Sequence, residues 1–206
     1  MDEEVDVKQG APKEFFTNLY DGGPPPWDIG RPQRDLMAAF DALALTGGTA
    51  LDVGCGTGEH VLELARRGVA ATGLDSTPAA IDAARSKAAE RGIDAEFTVG
   101  DALDLGALGR QFDVILDCGL FHVISEDDRR RYVEEVRAAL VPGGVHVMLG
   151  FSINPYERGP RGYSEAELRA YFADGFVEQS MQTAEYQVND QEVGPPALLS
   201  VFERAR

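Results

Sequence analysis

Three glycines at alternate positions, Gly54, Gly56 and Gly58, follow an apolar stretch that contains Asp52. A loop without Cβ atoms lets the backbone lie directly against a ligand, close to the free N–H groups of the next helix. A loop for the pyrophosphate of a nicotinamide cofactor has the spacing G-x-G-x-x-G, whereas this one has G-x-G-x-G. Asp52 would repel a pyrophosphate but could orient an ammonium group. The loop, with Cys55 as a small residue within it, therefore predicts a binding site for a cofactor that carries an amino group.

Acidic residues stand at the ends of four predicted strands: Asp52, Asp75, Asp101 and Asp117. In an open α/β sheet, ligands bind at the carboxyl ends of the strands, so we expect these side chains to share one site. Asp75, next to Ser76, could accept hydrogen bonds from both hydroxyls of a ribose. Asp101 could accept from an adenine amino group while the Ala102 N–H donates to the ring. The carboxylate of Asp117 would favour a positively charged cofactor.

Phe121 and His122 come just after the fourth predicted strand, where a second reactant would sit. Histidine titrates near neutral pH, so His122 could accept a proton while Phe121 forms a pocket wall. The alternative is a histidine that only packs the loop before the next helix. His60 and His146 are expected to be structural or exposed. Three scattered histidines and two separate cysteines do not form a metal-site pattern, so no metal is predicted.

The elements that must position these residues alternate along the chain. Strands are predicted at 49–53, 70–74, 95–99, 112–116 and 145–151. Helices are predicted at about 31–47, 58–67 and 78–91, from Ser125 to before Pro142, and after Ser164. This order predicts an α/β fold with a doubly wound, mostly parallel sheet. Two late strands, 175–188 and 198–203, complete seven strands and predict an antiparallel C-terminal edge hairpin.

The composition limits the classes of binding partner that we expect. The chain has 206 residues, enough for the single domain that we predict over 1–206, and 19 basic against 35 acidic residues give a net charge of −16. Such a surface repels nucleic acid and anionic membranes, so neither is an expected partner. The N-terminus lacks the pattern of a signal peptide, and two cysteines do not make a disulfide framework. We therefore expect a cytoplasmic location. The run Arg129-Arg130-Arg131 is expected on a solvated helix face.

The segment Leu51–Gly58 resembles motif I of the class I S-adenosylmethionine (SAM) methyltransferases. Together with 26–32, 73–76 and 117–122, the chain resembles the thiopurine methyltransferase-like enzymes, including plant thiol/halide methyltransferases and bacterial enzymes that methylate heterocyclic toxins. The resemblance covers nearly the whole chain after about residue 23. It implies the Rossmann-like SAM methyltransferase fold, with SAM as cofactor and S-adenosyl-L-homocysteine (SAH) as product.

The resemblance also implies that residues 1–30 form a lid-like segment over the cofactor site. Trp27 would then wall the SAM pocket, where an aromatic face can attract the sulfonium, near which Asp117 would lie. Arg31 could reach the methionyl carboxylate or anchor the segment to acidic surface.

The function that this family resemblance implies is methyl transfer from SAM to a small-molecule nitrogen, oxygen or sulfur nucleophile, such as a heterocycle, a phenol or a thiol. The transfer is an in-line displacement, so the protein mainly aligns the acceptor and excludes water. A SAM-binding protein without catalysis and a macromolecule methyltransferase stay open as alternatives. The sequence leaves the acceptor and the oligomeric state unspecified, and a monomer is consistent with it.

Overall fold

The computed structural model describes residues 10–23, 25–44, 47–152, 161–189 and 191–206. Within these ranges seven strands form one sheet: β1 Thr49–Val53, β2 Ala70–Asp75, β3 Glu96–Val99, β4 Phe112–Cys118, β5 Leu140–Phe151, β6 Phe176–Glu185 and β7 Pro196–Arg204. Their order is β3-β2-β1-β4-β5-β7-β6. The first five strands run parallel, and β7 lies antiparallel between β5 and β6. The predicted mostly parallel sheet with an antiparallel C-terminal edge is confirmed.

Helices cover both faces of the sheet, as a doubly wound fold requires. They are α1 Lys13–Asp21, α2 Arg34–Ala42, α3 Glu59–Arg66, α4 Pro78–Arg91, α5 Glu126–Ala139 and α6 Glu165–Tyr171. On one face, apolar residues of α2, α3 and α4 form a buried cluster with the strands. On the other face, α5 and α6 form a second cluster that is rich in aromatic residues. The helices α2 to α6 thus bury apolar residues against the sheet.

Local sequence signals account for where several helices begin and end. The Ser125 hydroxyl accepts from the Asp128 amide at the start of α5. Ser164 and Glu167 form the predicted capping box of α6. The helix α4 begins at Pro78, and its C-cap residue Gly92 has a left-handed backbone. Such signals act over three or four residues, so they can be identified in the sequence.

Several predicted features differ in the structure. The strand β5 begins at Leu140 rather than 145, and extra residues in β5, opposite Phe112–Val114 of β4, form a register irregularity that accommodates Pro142. The helix α2 is shorter than the predicted 31–47. Arg129 is buried rather than solvated, with its guanidinium 5.0 Å from the centre of the Phe121 ring.

Part of the predicted lid-like segment lies outside the described residues, namely residues 1–9 and 24. In the part of the chain that is described, no helix combines the length and the apolar character needed to cross a membrane.

Candidate functional site

A cavity of about 570 Å³ opens at the carboxyl ends of the parallel strands. Its wall contains the glycine loop, residues 74–77 at the end of β2, residues 100–103 after β3, and residues 118–120 and 122–125 at the end of β4. The cavity lies where the strand order reverses between β1 and β4, the usual ligand position in open α/β sheets. Its volume falls in the range of about 300–1,000 Å³ that is typical of small-molecule sites.

The glycine loop has a backbone that only glycine tolerates. Gly54, Gly56 and Gly58 have φ values of +72°, +53° and +84°. A Cβ on Gly56 would lie 2.8 Å from the Tyr20 hydroxyl, and one on Gly58 would lie 2.6 Å from the Phe97 ring. The amide of Gly54 donates to the carbonyl oxygen of Leu74 in β2 at 2.7 Å, which fixes the loop against the sheet. The cavity floor is therefore bare, rigid backbone.

Asp75 lies in the cavity wall and also holds the loop. Its Oδ2 accepts from the Gly56 amide at 2.9 Å, and its Oδ1 accepts from the Thr77 amide at 2.8 Å. Burial raises the pKa of Asp75, and the two amides oppose that rise. Each carboxylate oxygen keeps a second lone pair, so the side chain can still accept from two hydroxyl groups. Its environment fits a ribose diol, with the neighbouring Ser76 also in the wall.

Asp101 and Ala102 lie at a second part of the wall, beyond β3. The Oδ1 of Asp101 accepts from the Leu103 amide at 2.9 Å, which fixes the side chain. Its Oδ2 lies 3.0 Å from the ammonium group of Lys13, which extends from α1. The pair ties α1 to this end of the cavity, where the side chain of Asp101 remains accessible.

The segment 25–33, here called the strap, crosses the cavity between α1 and α2. Trp27 lies in the cavity wall and packs edge-on against Phe16 with ring centres 6.2 Å apart. The Gln33 side chain exchanges two hydrogen bonds with the backbone of Gln187, at 2.7 and 2.8 Å. Arg31 also lines the cavity, and its guanidinium donates to the Gln187 side chain at 2.8 Å. The strap is thus attached to the connection between β6 and β7.

A second attachment joins the strap to the glycine loop. The Thr57 hydroxyl donates to Asp28 at 2.7 Å, and the Lys87 ammonium donates to Thr57 at 2.6 Å. Lys87 also donates to Glu59 at 2.8 Å, and Arg91 binds Glu59 through two nitrogens at 2.8 and 2.9 Å. We call these five residues the clamp. It links the strap, the loop and α4 through charge-assisted hydrogen bonds.

The role predicted for Asp52 needs correction. Its side chain is 1% exposed and is not part of the cavity wall, and its Oδ2 lies 3.4 Å from His60 Nδ1. His60, expected to be structural or exposed, does line the cavity, and its Nε2 accepts from the Gln33 amide at 3.1 Å. Burial lowers the pKa of His60 and the neighbouring Asp52 raises it. Because Nε2 accepts from Gln33, the proton of the ring lies on Nδ1, toward Asp52. Asp52 can therefore act on a ligand only through His60.

The roles predicted for Asp117 and Phe121 also need correction, because both side chains are buried away from the cavity. The Oδ1 of Asp117 accepts from the amides of Leu120 and Phe121, and its Oδ2 accepts from the Tyr132 hydroxyl at 2.6 Å. Burial raises the pKa of Asp117 to about 6 against these three bonds. Phe121 packs among the aromatic rings of α5 and α6. Both residues shape the turn that presents the next residue, His122.

His122 lines the cavity at the end away from Asp101. Its ring stacks on Phe151, with centres 4.5 Å apart and planes inclined by 13°, and its Nδ1 accepts from the Phe151 amide at 3.4 Å. Tyr186 lies 6.2 Å away, and its hydroxyl lies 3.8 Å from the Cys118 sulfur. Burial, and then the charge of Arg129, lowers the pKa of His122 to about 3. This end of the cavity is therefore aromatic, with a neutral imidazole.

Cys55 is a buried free thiol at the glycine loop, and burial raises its pKa. It fits because Gly73 on β2 leaves room for its sulfur, which would lie 2.7 Å from a Cβ at that position. Over the described ranges, no group of three or more histidine, cysteine, aspartate or glutamate side chains could hold a metal ion.

The family model and two relatives that match this chain are described as methyltransferases. A family model described as a methyltransferase domain matches residues 50–144. A 2-heptyl-1-hydroxyquinolin-4(1H)-one methyltransferase of Mycobacteroides abscessus is 37% identical over 70% of this chain and 65% of its own length. A probable thiol methyltransferase 2 of Arabidopsis thaliana is 27% identical over the same shares. The chain thus spans just under two thirds of the length of these two relatives.

Solved structures extend the match to nearly the whole chain. A protein whose structure concerns the conversion of a disulfide bond into a thioacetal group during echinomycin biosynthesis has a TM-score of 0.85 and 35% identity, over 94% of this chain and 93% of that one. The 1,6-didemethyltoxoflavin-N1-methyltransferase of Burkholderia thailandensis shares the fold, with a TM-score of 0.74 at 22% identity, over 94% and 86% of the two chains. With its glycine loop, strand order and cavity, this chain belongs to the class I SAM-dependent methyltransferases.

Proposed function

We propose that the protein is an enzyme that transfers the methyl group of SAM to a nitrogen, oxygen or sulfur atom of a small molecule. One observation carries the proposal. A single cavity is lined by the glycine loop and Asp75 on one side and by Phe151, Tyr186 and His122 on the other. It has a polar portion suited to a nucleoside and an aromatic portion suited to an acceptor.

The polar portion would hold SAM as follows. Asp75 would accept from the ribose hydroxyls, Asp101 from the adenine amino group, and the Ala102 amide would donate to the adenine ring. The bare loop backbone would contact the methionyl part, with Arg31 as a nearby cationic group. When bound, SAM supplies an electrophilic methyl group on a sulfonium. The chain's own part is to align the acceptor and exclude water.

The acceptor would be small and largely apolar. Rings from the strap, β5 and the β6–β7 connection line the cavity, and α1 and the strap cover it. The related proteins are named for a hydroxyquinolinone and for a thiol, which are acceptors of this size. The net charge of −16 supports the proposal that neither nucleic acid nor an anionic membrane is a partner. We also propose a cytoplasmic location, which free Cys55 and Cys118 suit.

A methyl-transfer screen tests this function. The full chain is incubated with methyl-labelled SAM and panels of thiols, phenols, N-heterocycles and halide ions, and transfer is followed by SAH formation. We expect turnover with members of the first three panels and binding of SAM and SAH by calorimetry. Binding without any turnover would favour the non-catalytic alternative. Methylation of protein or RNA with no small acceptor would overturn the proposed acceptor class.

A further inference from the structure

The geometry around His122 determines which of its ring nitrogens can carry a proton. The Phe151 amide donates to Nδ1 at 3.4 Å, and a nitrogen that accepts a hydrogen bond has no proton of its own. The ring is held in this orientation by stacking on the Phe151 side chain, 4.5 Å away. A neutral imidazole with a bare Nδ1 carries its proton on Nε2. The nitrogen left to meet a ligand is therefore a donor.

The groups packed around this ring also disfavour its cationic form. Arg129 on α5 is the charged group whose field reaches it, and that charge adds to burial in lowering the pKa of His122 to about 3. Two tyrosines lie beside the ring: Tyr186, which follows β6, and Tyr163. A Cβ on Gly150 would lie within 3.3 Å of both the Tyr163 hydroxyl and His122 Nδ1. Burial raises the pKa of both tyrosines well above the usual value, so they remain neutral. No anion among these neighbours would stabilise an imidazolium.

A general base must have a free lone pair and must tolerate a positive charge after taking the proton. The bond from Phe151 occupies one lone pair, the proton on Nε2 blocks the other nitrogen, and burial beside Arg129 opposes the charge. His122 therefore meets neither requirement of a general base, which is one of the two roles that its position in the sequence predicts.

We propose, building on the function proposed above, that His122 donates a hydrogen bond through Nε2–H to a methyl acceptor whose nucleophilic atom enters the site already deprotonated. The acceptor class then narrows to thiolates, hydroxyl groups ionised on electron-poor rings, and unprotonated ring nitrogens. Alcohols and ordinary phenols, which must lose a proton during the reaction, are poor acceptors.

The reaction balances without a base. The lone pair of the nucleophile forms the new bond to the methyl carbon, while the bond from that carbon to sulfur breaks and leaves its electron pair on sulfur. No proton moves. A donor on the attacking atom itself would stabilise the ground state and slow the step, because negative charge on that atom is lost in the transition state. His122 therefore binds a second heteroatom of the acceptor and orients the ring for in-line attack.

Nitrogen NMR on the full chain, saturated with SAH and labelled with ¹⁵N in histidine, tests the tautomer without any turnover. His122→Phe identifies the signals. We expect a protonated Nε2, an unprotonated Nδ1 and no titration of His122 between pH 5 and 9. A protonated Nδ1, or a titration midpoint between pH 6 and 8, would overturn the proposal even if the enzyme is an active methyltransferase.

Kinetics with ring-substituted thiophenols of different acidity test the acceptor class. We expect the pH midpoint of kcat/KM to follow the pKa of each thiophenol. For thiophenols whose ring substituent supplies a second hydrogen-bond acceptor, such as a carbonyl oxygen, His122→Phe should raise KM by roughly 2- to 10-fold, the range for losing a hydrogen bond between neutral groups, and leave kcat within a few fold. His122→Gln, which keeps an N–H donor, should recover most of the loss.

A general base would give a different pattern: one midpoint for all acceptors and a kcat lower by about 10²–10⁴-fold in both variants. His146→Phe is the matched control, because that histidine is buried in β5 outside the cavity wall. Unchanged SAH affinity in the His122 variants would show that the cofactor site is intact. If the wild-type chain bound no SAH and methylated none of the thiophenols, the function itself would be refuted.

Discussion

Asp75 holds the glycine loop and faces the cavity with the same two oxygen atoms. Its bonds to the amides of Gly56 and Thr77 orient both carboxylate oxygens before any ligand arrives. A ligand hydroxyl then meets an acceptor that needs no rearrangement, which lowers the entropic cost of binding. This arrangement holds the carboxylate in a largely buried position, and the burial raises its pKa.

We expect Asp75→Ala to weaken SAH binding by about 1.5–3 kcal/mol, the range for hydrogen bonds to a charged group. Calorimetry on the purified variant measures this change. Asp82→Ala, an exposed aspartate on α4, is the matched control and should bind as the wild type does. Equal SAH affinity in the Asp75 variant would remove the ribose from its proposed position.

Asp117 should make stability depend on pH. Its folded-state pKa of about 6 lies above the ordinary value of 3.8. Its contribution to the free energy of unfolding is therefore fully present below about pH 4 and is lost as the pH rises through 6. Asp117→Asn keeps an oxygen for the two amides and does not ionise. Relative to the wild type, the variant should therefore gain up to about 3 kcal/mol of unfolding free energy between pH 4 and 7. Urea unfolding at several pH values measures the difference, and a pH-independent difference would contradict the assignment.

Strand register explains why only some of the strand-end acids reach the cavity. Asp52 pairs with Gly73 and Asp117 pairs with Val53, so both lie within the sheet, below the level of the loop. Asp75 comes one residue after the pair Val53–Leu74 and therefore emerges level with Gly54. The sequence shows that an acid ends a strand. The depth at which that strand ends depends on pairing with strands far along the chain.

At the scale of elements, the helices and most strands could be predicted because their signals are local. Caps such as Ser164 with Glu167 operate within one turn, and the apolar stripes repeat within each helix. The attachment of the strap could not be predicted, because Gln33 meets Gln187, which lies far along the chain. This contact also accounts for the shorter β6, which ends at Glu185 rather than 188. Gln187 and Asn189 use their backbone amides on the strap instead, and the Tyr186 amide donates to the carbonyl oxygen of Pro195, just before β7.

The clamp should control how tightly the strap covers the cavity. We expect Lys87→Met to weaken SAH binding roughly tenfold and to speed chymotrypsin cleavage after Trp27, because Thr57 and Asp28 lose their cation. Glu59 keeps Arg91, so α3 and α4 stay joined. Lys87→Arg, which keeps the charge, should stay close to the wild type. If strap cleavage is equally fast with and without SAH in the wild type, the lid-like role predicted for this segment is wrong.

At the scale of the whole molecule, the alternating pattern of strands and helices was sufficient to predict the sheet. The insertion of β7 between β5 and β6 completes an order that has one antiparallel edge. The acidic surface was also evident from composition. The acceptor end of the cavity was only partly evident, because Phe151, Tyr186 and His122 come from three separate elements.

Ligand binding at this site should stabilise the entire domain. SAH at a concentration of 100 times its Kd should raise the unfolding free energy by about 2.7 kcal/mol. For a chain of this size, that corresponds to an increase in Tm of roughly 5–10 °C. Thermal unfolding followed by circular dichroism measures the shift. NAD at the same concentration is the control and should leave Tm unchanged, since the loop lacks the spacing for a pyrophosphate; an equal shift with NAD would contradict the site.

The attachment of the strap to the β6–β7 connection has a consequence for how the protein is made on the ribosome. The glycine loop emerges early, but its cover needs Gln187, and Tyr186 of the acceptor end emerges with it. A nascent chain that stops before β6 therefore carries the loop without the cover or the complete aromatic wall. We therefore expect the cofactor to be retained only when translation is nearly finished, and we expect prematurely terminated chains not to sequester SAM.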